Sequence, residues 1–250
     1  MVESLDAILR DFPRAVDLSP HPGVFARAVA ETPSAARIGQ VEALPQSAPA
    51  RSALAVVEGS TDLIVSILGL HWADDLPGAL AQIRRALKPD GLFLGALFGA
   101  GTLSELRQVL TEAELEVTGG VQARVSPFAD GYDGAALLQR AGLGLPVVDV
   151  DRVVVRYPDM FALIRDLRAM GETSALAGPV RPLTRGIVAR AAQLYAERHG
   201  EPDGRVPATF EIIHLAGWAP HESQQKPLPR GSAKMRLADA LHVRERTGDD

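Results

Sequence analysis

The chain has 250 residues, 46% hydrophobic and 23% charged, with mean hydropathy near zero. That supports one large α/β domain or two small ones with a real core and excludes a wholly disordered chain. The absence of cysteine removes disulfides, iron–sulfur ligation, thiolate metal sites and a thiol nucleophile, and a net charge of −5 argues against general nucleic-acid binding.

The longest apolar run, Leu63 to Leu70, stops at His71, well short of the roughly 20 residues of a membrane-spanning helix. The acidic start, Met1 to Asp6, has no signal-like segment. The expectation is a soluble, cytoplasmic protein.

Six prolines fall in the first fifty residues, and periodicity there is weak. Arg14 to Leu18 and Ala53 to Val57 read as short buried strands. Asp62 to Leu68 is a near-continuous aliphatic run, the pattern of a strand covered on both faces. Asp74 then caps a helix with Pro77 in its first turn and Leu76, Leu80, Ile83 and Leu87 along one stripe. Lys88-Pro89-Asp90-Gly91 ends it, with Gly91 free to take positive φ, and Leu92 to Phe98 is the next buried strand.

Thr102-Leu103-Ser104-Glu105 is a capping-box pattern directly after Gly99-Ala100-Gly101. Such a turn serves as a plain helix cap or as a holder for an anion. Further helices are expected over Asp133 to Ala141, Met160 to Met170 with Phe161, Ile164 and Leu167 inward, and Thr184 to Arg198 with Ile187, Ala191 and Leu194 inward. Val147 to Tyr157 and Pro207 to Trp218 read as strands. From His221 to Asp250 there are six Lys or Arg and five Asp or Glu, which predicts a polar tail, with one short helix over Met235 to Val243. The organisation expected is one domain over 1–220 and a tail over 221–250. Alternating strands and helices predict a Rossmann-like doubly wound sheet with ligands at the carboxyl ends of its strands.

The run Leu68-Gly69-Leu70-His71-Trp72-Ala73-Asp74-Asp75-Leu76-Pro77, with Leu87 to Gly91 and Gly95 to Gly99, resembles class I S-adenosylmethionine-dependent methyltransferases. Thr102 to Arg107, Ser126-Pro127-Phe128, Asp166 to Glu172, Val206 to Phe210 and His221 to Gln224 narrow the resemblance to the complex I assembly arginine hydroxylases, over residues 61 to 232. It implies a seven-stranded methyltransferase sheet with the last strand antiparallel, and S-adenosylmethionine as cofactor. It also implies a role in respiratory complex I assembly, with modification of an arginine on the subunit that carries an iron–sulfur cluster. Cytoplasmic or peripheral inner-membrane placement follows.

The family's turn after the first strand, Asp-Leu-Gly-Cys-Gly-x-Gly, is replaced here by Asp17-Leu18-Ser19-Pro20-His21-Pro22-Gly23. Each proline deletes an N–H and fixes φ. The resemblance assigns cofactor contacts to Asp17, Gly23, Glu42, Glu58, His71 and Trp72. His71 is the catalytic candidate, lying just past a central strand, where imidazole serves as base, ligand or donor; a packed loop residue is the bland alternative. His71, Asp74, His214 and His221 do not have spacing that supports an iron site, and no metal is expected. Lys226, Arg230 and Ser232 are either a partner-docking strip or a solvated tail. Two functions stay open, an arginine-modifying enzyme or a degenerate methyltransferase fold acting as an assembly chaperone; a third, methylation of a small molecule, draws only on the broad superfamily and is disfavoured by the narrower resemblance.

Overall fold

The computed structural model describes residues 2–44, 56–126, 128, 131–173, 181–225 and 232. Met1–Pro220 is one compact unit and His221–Asp250 another. Within the first, the described residues form a six-stranded sheet, β1 (Phe12–Asp17), β2 (Ile38–Ala43), β3 (Thr61–Ile67), β4 (Leu87–Phe98), β5 (Gly144–Tyr157) and β6 (Val206–Trp218), in the order β2-β1-β3-β4-β6-β5. β2, β1, β3 and β4 are parallel, and β6 runs antiparallel to both β4 and β5. The antiparallel last strand is thus present, but six strands are found where seven were expected. Most of the expected strand at Ala53 to Val57 lies outside the described residues, and Val56 and Val57 are not in a strand. The expected helix over Met235 to Val243 also lies outside them, as do Lys226 and Arg230.

Alternation along β3 sorts the core. Leu63 and Val65 pack with Leu5 of α1 (Val2–Asp6) and with Phe25 and Val29 of α2 (Val24–Ala30). Ile64 points the other way, to Leu80 and Ile83 of α3 (Leu76–Ala86), and to Leu138 of α5 (Gly134–Arg140). A strand buried on both faces therefore reads as a near-continuous aliphatic run. A third cluster joins Phe98 to α4 (Ser104–Thr118), α6 (Met160–Ala169) and α7 (Arg185–His199).

Several local expectations shift. Asp75, not Asp74, caps α3, accepting the Gly78 N–H at 2.9 Å. Lys88 to Gly91 do not separate helix from strand but form an irregularity inside β4, where the partner of Thr61 is Leu87 and that of Leu63 is Leu92. Asp90 takes the positive φ, at 62°, while Gly91 lacks a Cβ that would lie 2.9 Å from the Lys88 carbonyl oxygen.

The capping box does not form. Leu103 precedes α4 with φ 54° and no side-chain cap. The Thr102 hydroxyl donates instead to the Glu211 carbonyl at 2.9 Å, and Glu105 accepts from the Thr209 N–H at 3.2 Å. Tertiary partners on β6 have outcompeted the local cap. On α6 the buried stripe is Met160, Leu163 and Leu167; Ile164, expected inward, is half-buried against the same cluster, whereas Phe161, also expected inward, is exposed at the mouth of a cavity. No helix among the described residues is long and apolar enough to cross a membrane.

Candidate functional site

β3 ends at Ile67, and a single 3-10 turn, Leu70–Trp72, places His71 and Trp72 at the carboxyl edge of the sheet. The His71 side chain is 1% exposed. Its ring lies 5.0 Å from those of Trp72 and Phe98 and 5.7 Å from that of Phe128, centroid to centroid. Its Nε2 meets Oε2 of Glu172 at 3.1 Å, while Nδ1 is buried without a partner. Donation from Nε2–H to the carboxylate fixes the ring in the plane of that bond.

Glu172 is delivered by the end of α6. Gly171 has φ 80°; its N–H donates to the Arg168 carbonyl at 3.1 Å and the Glu172 N–H to the Leu167 carbonyl at 2.8 Å. These are the paired bonds of a Schellman motif, which needs a left-handed residue and so favours glycine. The same helix end is held from the other side by His21, whose Nε2 donates to the Met170 carbonyl at 3.0 Å. Tyr157 donates to Asp166 of α6 at 2.6 Å; desolvation and this carboxylate both push the phenol well above its ordinary range.

Glu172 opens on a cavity of about 670 Å3. Apolar walls from Phe98, Leu106, Val125, Phe128, Ile164 and Phe210 enclose it, and Glu172 is the only acidic residue lining it among the described residues. Arg124, Arg165 and Arg168 also line it. Arg124 is spent on Glu114, an almost fully buried pair, and on the Arg181 carbonyl at 2.7 Å. Its guanidinium holds the Glu114 carboxyl below the ordinary range despite burial.

Asp17, Gly23, Glu42, His71 and Trp72 all come to the carboxyl edge of the parallel strands. Glu58 does not. It precedes β3 and pairs with Arg85 at 3.4 Å, at the amino edge, so the seven residues of β3 put it roughly 20 Å from the others. Its assignment as a cofactor contact is corrected accordingly.

The turn after β1 does not fit S-adenosylmethionine. The Leu18 N–H is taken by the Val65 carbonyl at 2.8 Å and the Ser19 N–H by Asp17 Oδ1 at 2.9 Å, while Pro20 and Pro22 have none. Pro20 Cδ lies 3.1 Å from where a Cβ on Gly69 would stand, so the turn packs onto the exit of β3. Asp17 Oδ2 is buried without a partner, the one feature that a ligand donor would satisfy. Neither the 670 Å3 cavity nor the next, of about 460 Å3, is lined by Asp17, Gly23 or Glu42.

The Gly99-Ala100-Gly101 turn, read as a plain cap or an anion holder, holds a carboxylate of the chain itself. Gly101 N–H donates to Glu211 Oε1 at 3.1 Å, and a Cβ on Gly99 or Gly101 would fall 2.4 or 2.6 Å from that carboxylate. His214 pairs with Asp151 at 3.1 Å, and no metal-ligating cluster occurs among the described residues. Sequence reasoning missed Glu172, Arg165 and Arg168 as site residues. Asp166 to Glu172, one of the motifs that carry the resemblance, with Gly171 before the carboxylate, was the local signal for Arg168 and Glu172.

A family model described as a methyltransferase domain matches residues 8–95. A solved Bacillus halodurans structure assigned as a methyltransferase covers 88% of this chain and 97% of its own, with TM-score 0.53 and 13% identity, which shows the fold alone. The mitochondrial arginine-hydroxylase NDUFAF5 of Danio rerio is 46% identical over 186 residues, 74% of this chain but 58% of that protein. The chain thus spans less than two thirds of that relative. NDUFAF5 of Mus musculus is 40% identical over 252 residues, 95% of this chain and 73% of its own length. That span takes in both the His71 turn and the Gly171-Glu172 helix end, and on it the chain belongs to the arginine-hydroxylase NDUFAF5 family within the methyltransferase fold.

Proposed function

We propose that this chain modifies an arginine side chain during respiratory complex I assembly, by hydroxylation as its relatives are named to do. Its partner in this reading is the complex I subunit that carries an iron–sulfur cluster, met in the cytoplasm or peripherally at the inner membrane. The observation that carries the reading is Glu172, the one carboxylate among the described residues that lines the apolar cavity, backed by His71. A guanidinium is the side chain best matched to a carboxylate in such a place, because its planar N–H groups pair with carboxylate oxygens and it stays charged when desolvated. The apolar walls take the arginine methylenes. Glu172 binds and orients; His71 holds Glu172.

Hydroxylation replaces a C–H bond by C–OH, so an oxygen-donating co-substrate is required, and a two-electron reductant if that donor is dioxygen. The turn at Pro20 to Pro22 gives S-adenosylmethionine no cradle, and no step is routed through it. The same closed turn favours a second reading, an assembly chaperone that binds the subunit without altering it.

Mass spectrometry of the iron–sulfur subunit, from cells with and without this chain, separates the two. A gain of one oxygen on an arginine, lost with Glu172→Gln, supports the enzyme. Stable binding with unmodified arginines supports the chaperone and overturns it.

A further inference from the structure

The charges around the cavity are divided by depth. The Glu172 side chain is 10% exposed, whereas Arg165 and Arg168 lie on exposed positions of α6, one turn apart on its cavity side. Arg124, the remaining charged lining residue, is consumed by Glu114. Among the described residues, neither the Arg165 nor the Arg168 guanidinium has a hydrogen bond or an ion pair, in a protein where Arg152, Arg156, Arg190 and Arg198 all have carboxylate partners. The cavity is therefore dipolar, with a negative floor and an unpaired positive rim.

We propose that the rim selects the sequence around the target: the cavity takes an arginine with acidic residues close by in the same segment. The arginine inserts toward Glu172, whose Oε1 has no hydrogen bond among the described residues, and the flanking carboxylates meet Arg165 and Arg168. A target with basic neighbours is repelled at the rim by two like charges. This rests on the arginine reading of the same cavity and adds the chemical class of its substrate.

The test is fluorescence anisotropy of labelled peptides on the full chain at low salt. One peptide carries a central arginine flanked by glutamates, a second the same arginine flanked by lysines, and a third the glutamate flanks around norleucine. The glutamate-flanked arginine peptide is expected to bind roughly tenfold tighter than the lysine-flanked one, the size of two partly exposed ion pairs, and the gap narrows as salt rises. Arg165→Gln with Arg168→Gln removes the preference, and Arg165→Glu with Arg168→Glu reverses it, with circular dichroism checking the fold of each. Equal affinity for the two arginine peptides, or an order unchanged in both double variants, overturns the rim inference and leaves the arginine reading standing. Norleucine bound as tightly as arginine, with the flank preference intact, overturns the arginine reading and leaves the rim. Binding of none of the peptides overturns both.

Discussion

His71 and Glu172 are 101 positions apart in the chain and 3.1 Å apart in the fold, Nε2 to Oε2. The pair joins the exit of β3 to the end of α6, so the aromatic wall and the acidic floor of the cavity are set by one contact. His71→Ala leaves the carboxylate without its donor and opens a gap between Trp72, Phe98 and Phe128. Urea unfolding is expected to show a loss of about 2–4 kcal/mol. His71→Gln, whose amide nitrogen reaches toward the place of Nε2, recovers part of it. An alanine variant as stable as the parent would mean that the contact does not form.

Gly171→Ala forces a side chain into a left-handed residue, costing about 1–2 kcal/mol, which corresponds to roughly 2–8 °C in the thermal midpoint for a chain of this size. Because Glu172 follows directly, affinity for an arginine peptide is expected to fall with the midpoint. Gly186→Ala supplies the contrast: it sits in the first turn of α7, where a Cβ would meet nothing closer than 3.8 Å, and the exchange is expected to leave the midpoint level or raise it.

Thermal shift with S-adenosylmethionine tests the closed turn. A ligand at 100 times its dissociation constant adds about 2.7 kcal/mol to the folded state, a displacement that is easily seen. No dose-dependent rise is expected, since the N–H groups of Leu18 and Ser19 are spent within the chain. A clear rise would show that the turn rearranges to admit the cofactor.

Glu114 makes stability fall in acid. The Arg124 guanidinium holds its carboxyl below the ordinary 4.5, with burial opposing. The unfolded chain takes up a proton near 4.5 while the folded chain does not, so the contribution is complete above that pH and drains as pH falls through the lower folded value. Glu114→Gln leaves Arg124 buried without its partner and is expected to cost about 3 kcal/mol at neutral pH. Denaturation at neutral pH and in acid should show the gap between parent and variant closing as pH drops. A gap independent of pH would mean that the carboxylate charge does not contribute.

Much of the architecture was legible before the fold was known. Asp62 to Leu68 announced a strand covered on both faces because its aliphatic residues run on without the polar alternation of a half-exposed strand, and Leu80 and Ile83 marked the inner stripe of α3 by spacing alone. The last strand, expected over Pro207 to Trp218, came out as Val206–Trp218. Errors began where a residue had a better partner far away: Thr102 and Glu105 spelled a capping box, but strand β6 took both. Phe161 was read with Ile164 and Leu167 as a core stripe, yet it is exposed at a cavity, since periodicity marks an apolar face without saying what stands opposite it.

By itself the sequence determined the alternation of strands and helices, the carboxyl edge at His71 and Trp72, the loss of the glycine cradle to Pro20 and Pro22, and the resemblance that the relatives bear out. Tertiary structure alone decided that Glu58 stands at the opposite edge, that Glu211 is the anion of the Gly99 to Gly101 turn, and that Glu172 meets His71. The reason is physical. Burial patterns and turn residues act over a few positions, whereas an ion pair or a cavity depends on which distant loops a parallel sheet gathers at one end.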